Sequence, residues 1–143
     1  MTQQRSVPLI LRAAALSLAL YALLAPAALT AADSRIFEMR IYTANDGKLD
    51  ALHARFRNHT NQIFVRHGMS LIGYWTPTEG PEKDNTLIYI LAYPSMAARE
   101  KAWAAFRDDP DWQKAKAESE KGGVLVKNVE SKFMTATDYS PIH

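Results

Sequence analysis

Residues Thr86 to Tyr93, TLIYILAY, are apolar on both sides of a strand period: Leu87, Tyr89 and Leu91 alternate with Ile88, Ile90 and Ala92. Successive side chains of a strand point to opposite faces, so a segment of this kind must be covered twice. One layer of helix covers only one face. The chain therefore needs a sheet with helices on one side and a second cover on the other.

The flanking segments supply that sheet. Ile36 to Tyr42 alternates Phe37, Met39 and Ile41 against Glu38, Arg40 and Tyr42, which predicts a first strand with two distinct faces. Asn45-Asp46-Gly47 marks a turn, and Asp46 is also placed to cap the helix that follows. At about 100° per residue, Leu49, Leu52, Phe56 and Ile63 share an arc of roughly 60°, with Thr60 and Phe64 beside them. Arg55, Arg57, Asn58, Asn61 and Gln62 fall on the far side of the same wheel. This helix ends at His67, just before Gly68.

Met69 to Thr76 reads as a second strand and Thr86 to Tyr93 as a third, joined by a loop rich in Pro, Gly and charge. Ser95 caps a second helix carrying Trp103 and Phe106. Asp109 and Pro110 then cap and open a short further helix with Trp112, which stops before Gly122-Gly123. Val126 to Thr135 is a fourth strand with Val129 and Phe133 on one face. The order βαββαβ is an α+β, ferredoxin-like pattern: a four-stranded antiparallel sheet with helices on one face. Two such sheets packed face to face, a dimeric α+β barrel, are the economical second cover for the third strand.

Residues 1–32 carry the signs of a secretory signal peptide. A polar start with Arg5 and Arg12 leads into the uncharged run Ala13 to Leu24, Pro26 interrupts it, and Ala27 to Ala32 supplies small residues for cleavage after Ala32, with Thr30 at −3. An uncleaved anchor competes, because Ala13 to Ala32 approaches the ~20 residues of a spanning helix. The short apolar run before Pro26 favours the signal. The expectation is a periplasmic or secreted single domain, residues 33–143, with no membrane span after cleavage. Of 17 basic residues, Arg5 and Arg12 leave with the signal, so the mature chain carries 15 basic and 15 acidic residues. A neutral domain without a basic run has no electrostatic footprint for nucleic acid, although the whole-chain pI is near 8.9. The absence of Cys excludes disulfides and thiolate metal sites.

Three segments, FEMRIYTANDGKLDAL, RHGMSLIGYWTP and FRDDPDWQKA, resemble the NIPSNAP family in their order and spacing. The resemblance covers Phe37 to about Thr135. It implies the ferredoxin-like dimeric barrel and a homodimer, and it implies little about activity. Structural relatives of that barrel include cofactor-free monooxygenases, haem-degrading enzymes and stress-responsive proteins, and fold-level analogy does not carry function.

Candidate functional residues fall in two groups. His53, His59 and His67 lie on or beside the apolar arc of the first helix, where an imidazole near a pocket could move a proton near neutral pH. His59 is the first catalytic candidate and His67 the second; the competing reading is packing for His53 and His59 and a favourable helix end for His67. The aromatic set Tyr42, Tyr74, Trp75, Tyr89, Trp103 and Trp112 could line a cavity for a planar molecule or simply fill core and interface. Tyr42, His59, Trp75 and Tyr89 are the expected ligand-binding residues, and Trp103 and Trp112 are assigned to packing. Glu38 and Arg40 form a charged pair on the Tyr42 face, either lining the barrel or fixing strand register. The histidine spacings do not suit metal ligation from one helix, so no metal is expected. No G-x-S-x-G and no glycine-rich phosphate loop occurs.

The functional expectation is an exported barrel protein that binds a small apolar or aromatic molecule, with no bound cofactor and with room for cofactor-free oxygenase-type chemistry. The alternative is a non-enzymatic protein-interaction module of the cell envelope.

Overall fold

The computed structural model describes residues 35–142; the signal segment read at residues 1–32, and its cleavage point, lie outside the described residues. Strands β1 (Ile36–Ala44), β2 (Ser70–Trp75), β3 (Thr86–Tyr93) and β4 (Val126–Met134) form one sheet in the order β2-β3-β1-β4. Every neighbouring pair is antiparallel. Helices α1 (Leu49–Arg55), α2 (Asn61–Arg66), α3 (Met96–Asp108) and α4 (Pro110–Ser119) make the helical layer, and a 3-10 turn (Pro81–Asp84) sits in the β2–β3 loop.

The caps at α3 and α4 follow local chemistry. Ser95 accepts from the Ala98 N–H at 3.1 Å, and Asp109 accepts from the N–H groups of Asp111 and Trp112 at 2.8 and 3.4 Å. At the end of α2, Gly68 has φ +79°, a conformation that side chains resist. Asp46 does not cap α1: it is exposed in the turn, Lys48 precedes the helix without a side-chain cap, and the Lys48 ammonium reaches the Gly122 carbonyl at 2.7 Å.

Between α1 and α2 the chain makes a π-helical turn, Phe56–Thr60, and this corrects the regular wheel at Arg55. A π-turn adds a residue to the turn and rotates the positions before it relative to those after it. Arg55 and Phe56 then both point inward, with 4% and 5% exposure, followed by Thr60, Ile63 and Phe64. Thr60 Oγ1 donates to the Arg55 carbonyl at 3.3 Å, taking up an acceptor inside the turn. Arg57, Asn58 and His59 are turned to solvent.

The helices cover the β1 face that bears Glu38, Arg40 and Tyr42, the polar side of its alternation. Cross-strand register sets Ser131, Arg40, Tyr89 and Tyr74 in one row across the four strands on that face, and Phe133, Glu38 and Leu91 in the next. The core fills the space between this face and the helices. Phe64 is its centre, with the rings of Phe56, Tyr89, Trp103 and Phe106 at 4.7–6.2 Å between centroids. Such ring pairs add to area burial, and losing a buried ring of this kind costs about 3–5 kcal/mol.

The opposite face is apolar across β1 and β3: Phe37, Met39 and Ile41 register with Ala92, Ile90 and Ile88. The double apolar pattern of β3 thus has its helical cover on one side only. Trp75, half exposed, lies across Gly73, where a Cβ would stand 2.5 Å from the indole, so this close approach requires glycine.

Candidate functional site

A cavity of about 460 Å³ opens between the sheet and the helical layer. β1 contributes Arg40 and Tyr42, the π-turn and the residue before it Arg55, Phe56 and Thr60, and α3 Arg99, Trp103, Phe106 and Arg107. Phe64 of α2, Trp112 and Lys116 of α4, Glu120, and the valines 124, 126 and 129 complete it. Six aromatic rings, those of Tyr42, Phe56, Phe64, Trp103, Phe106 and Trp112, thus meet five cationic side chains in one space. The mixture of a mainly apolar wall and a few oriented polar groups is that of a small-molecule site.

Glu38 anchors the charged side. Its side chain has no solvent exposure. It accepts from Arg40 Nη1 at 2.6 Å, from Arg99 Nη2 and Nε at 2.8 and 3.1 Å, from the Tyr93 hydroxyl at 3.0 Å and from Trp103 Nε1 at 3.2 Å. Burial by itself would raise its pKa. The hydrogen bonds from Arg99 and Arg40, together with the Arg40 charge, outweigh burial and hold the carboxyl at about 2. Arg40 also donates to Ser131 Oγ at 3.1 Å and to the Tyr42 hydroxyl at 3.3 Å, and its guanidinium carbon stands 4.4 Å from the centre of the Trp103 ring. Burial disfavours its charge, but the neighbouring Tyr89 and Tyr42 phenols and Glu38 raise its pKa, so it keeps its proton at any working pH.

On the other wall, Arg55 donates to Glu120 at 2.9 Å and stacks 5.1 Å from the centre of the Trp112 ring. Glu120 also pairs with Lys116. The Nε atoms of Arg40 and Arg55 and the hydroxyls of Tyr74 and Tyr89 are buried without a hydrogen bond. The Tyr89 hydroxyl makes no bond of good geometry, yet Tyr42 and Arg40 are close enough to act on its ionisation. Burial dominates and pushes the Tyr89 pKa well above 10, and burial does the same for Tyr74.

The four residues expected to bind a ligand do not share one cavity. Tyr42 lines the cavity described above, edge-on to Tyr89 at 5.2 Å; Tyr89 is fully buried beneath it. Trp75 sits with His53, Arg57 and Tyr74 on a shallower groove of about 400 Å³ beside β2. His59 is exposed in a separate depression with Arg66, Asp111 and Glu118. His67 Nε2 lies 2.7 Å from Asp109 Oδ2, an oxygen that also accepts from Arg66 at 2.6 Å, so His67 ties the end of α2 to the start of α4. The desolvation of Asp109 is outweighed by these bonds, and its carboxyl is held well below the usual range. The Glu38–Arg40 pair does not cross strands: it runs along β1 and up to α3. Trp103 and Trp112, assigned to packing, stand in the cavity wall as well.

Arg55, Arg99, Arg107, Thr60 and Lys116 were missing from the sequence reading of the site. For α3 a signal existed, because Arg99, Trp103, Phe106 and Arg107 follow the i, i+4, i+7, i+8 spacing of one helix face. For Arg55 there was none, since regular periodicity turns it outward. Among the described residues no three His, Asp or Glu side chains gather as a metal cluster.

A helix-roofed antiparallel sheet with a ligand-sized cavity between its layers defines a ferredoxin-like α+β protein. Residues 37–141 match the NIPSNAP family model, and the chain belongs to the NIPSNAP family. Among solved structures it is similar to a NIPSNAP family protein from Agrobacterium tumefaciens, with 27% identity, a TM-score of 0.66, and 76% of this chain and 99% of that one covered. An uncharacterized NIPSNAP-like domain protein from Burkholderia xenovorans shares 22% identity at a TM-score of 0.66, over 76% of this chain and 90% of that one. SnoaB, a cofactor-independent oxygenase from Streptomyces nogalater, shares the fold at 18% identity and a TM-score of 0.51, over 76% of this chain and 98% of that one. No curated protein matches the chain.

Proposed function

We propose that this NIPSNAP protein is an exported homodimer that holds a small, mainly apolar or aromatic molecule in the cavity between β1, the π-turn, α3 and α4. The observation that carries the reading is that cavity: about 460 Å³ walled by six aromatic rings, large enough for a two- or three-ring molecule. The lining favours binding over turnover. Its one carboxylate, Glu120, is engaged by Arg55 and Lys116, and no histidine lines it among the described residues. A general base for oxygenase-type chemistry of the kind named for SnoaB would have to be the Tyr42 phenol or come with the substrate. Native mass spectrometry after gentle isolation tests the binding reading: a retained organic molecule supports it, and a protein that neither retains nor takes up any aromatic compound overturns it.

Support for the homodimer is the apolar sheet face of Met39, Ile41, Ile88 and Ile90, which has no helical cover and is matched in chemistry by the same face of a second copy. Sedimentation should give twice the mass of a chain beginning at Asp33, and Ile88→Lys should reduce it to one. Export rests on residues 1–32, and N-terminal sequencing of the protein from the envelope should read Asp33.

A further inference from the structure

The charge in the cavity is one-sided. Arg40, Arg55, Arg99, Arg107 and Lys116 line it, and the carboxylates that meet them are only two. Glu38 is shared between Arg40 and Arg99, Glu120 is shared between Arg55 and Lys116, and Arg107 has no ion-pair partner among the described residues. Three positive charges are left uncompensated in one space. General basicity does not explain this, because the chain from Asp33 onward has equal numbers of acidic and basic residues. Like charges gathered in a partly desolvated cavity repel one another, and an anion relieves that repulsion.

The donors are also oriented. Arg55 is 96% buried, and its Nε has no acceptor; Arg40 Nε, on the facing wall, has none either. Both guanidinium groups lie against indole rings, Arg40 on Trp103 and Arg55 on Trp112. Stacking of this kind fixes the plane of the guanidinium and leaves its edge N–H groups to meet an oxyanion. The π-turn is what brings Arg55 here, and such turns often occur where a helix serves a binding site.

Resting on the binding reading above, we infer that the cavity selects a planar organic carboxylate, its ring system against Trp103, Trp112 and Phe56 and its carboxylate between Arg55 and Arg40. Arg107, at the exposed edge of α3, steers the anion in. A charge-assisted hydrogen bond to a buried guanidinium is worth about 1.5–3 kcal/mol, or roughly 10- to 150-fold in affinity.

The test compares 2-naphthoate with its neutral isostere 2-naphthamide, and with acetate as the bare anion, by isothermal titration calorimetry on the mature protein at pH 7 in low salt. Naphthoate should bind at least about tenfold more tightly than naphthamide, and acetate should bind far more weakly than either. Arg55→Met should reduce the preference for naphthoate to within about twofold. Since this change leaves Glu120 with Lys116 alone, its thermal unfolding is checked. The exposed Arg107→Gln, which touches no carboxylate, should lower naphthoate affinity about two- to fivefold and naphthamide affinity by less. Equal affinity for naphthoate and naphthamide, or a full preference surviving in folded Arg55→Met, overturns the anion assignment and leaves the cavity reading in place. Acetate binding as tightly as naphthoate overturns the planar part of it. Failure of both naphthalenes to bind overturns this inference alone, and the reading on which it rests is then decided by the native mass spectrometry described above.

Discussion

Replacing Glu38 with Gln keeps the shape of the side chain and removes the charge that five donors converge on. Gln can still accept at one position, but Arg40 and Arg99 would be left as two partly buried cations without a counter-ion. Breaking a buried ion pair by deleting one partner costs about 3–5 kcal/mol. Arg99 keeps 22% exposure and Arg40 13%, so water reaches both, and the lower end, about 3 kcal/mol, applies. The pKa agrees with this size. Holding the carboxyl at about 2 against an ordinary 4.5 corresponds to at most about 3.5 kcal/mol, at roughly 1.4 kcal/mol per pH unit. The sign is that of a depressed acid: the native state binds fewer protons than the unfolded state, so the contribution is complete above pH 4.5 and is lost as pH falls towards 2. Urea unfolding of wild type and Glu38→Gln at a series of pH values measures both quantities. At pH 7 the variant should be about 3 kcal/mol less stable, with a melting point lower by roughly 12 °C. Between pH 4.5 and 2 the two curves should converge. A loss under about 0.5 kcal/mol at pH 7, or a difference that stays constant down to pH 2, would refute the assignment of Glu38 as the anchor of the charged wall.

Asp109→Ala removes the cap of α4 and the carboxylate that draws in Arg66 and His67; chemical denaturation should show a loss of about 1–2 kcal/mol, with Asp109→Asn, which still caps, losing less. Gly73→Ala places a methyl where the Trp75 indole lies, so Trp75 must swing out into solvent, and its fluorescence should shift to longer wavelength while the helical signal in circular dichroism is unchanged. Gly68→Ala forces a side chain to φ +79° and should cost about 1 kcal/mol in the same denaturation assay.

The sheet was legible because its signal is binary. In β3, both alternating sets are apolar and the strand spans Thr86–Tyr93 as read; in β1, the split between Phe37, Met39 and Ile41 and Glu38, Arg40 and Tyr42 marks two real faces. Which face turns to the helices was not legible. Hydrophobic pattern alone favours the apolar set, whereas the helices cover the charged one, because Arg99 and Trp103 of α3 reach down to join Tyr93 of β3 in satisfying Glu38. The first helix was legible in extent and not in phase: a π-turn leaves no mark in composition, and its one-residue offset moves Arg55 from the outside of the wheel into the cavity. The same geometry leaves His59 outside. Of the expected ligand residues, Tyr42 alone lines the charged cavity, since its place follows from strand alternation, the most reliable of the periods used. The cationic rim was visible only as spacing on α3, and its partner residues come from α4 and β1, separations that a single sequence does not connect.

On the reading proposed above, the space between β1, the π-turn, α3 and α4 holds an organic molecule. Native mass spectrometry of the protein from its own cells, beside Val126→Trp, which fills the cavity from β4, tests it most directly. The wild type should carry the discrete added mass of a small molecule, lost from the folded Val126→Trp variant. The same added mass on both would place the molecule elsewhere, and a bare wild-type mass that no aromatic carboxylate increases would contradict the claim.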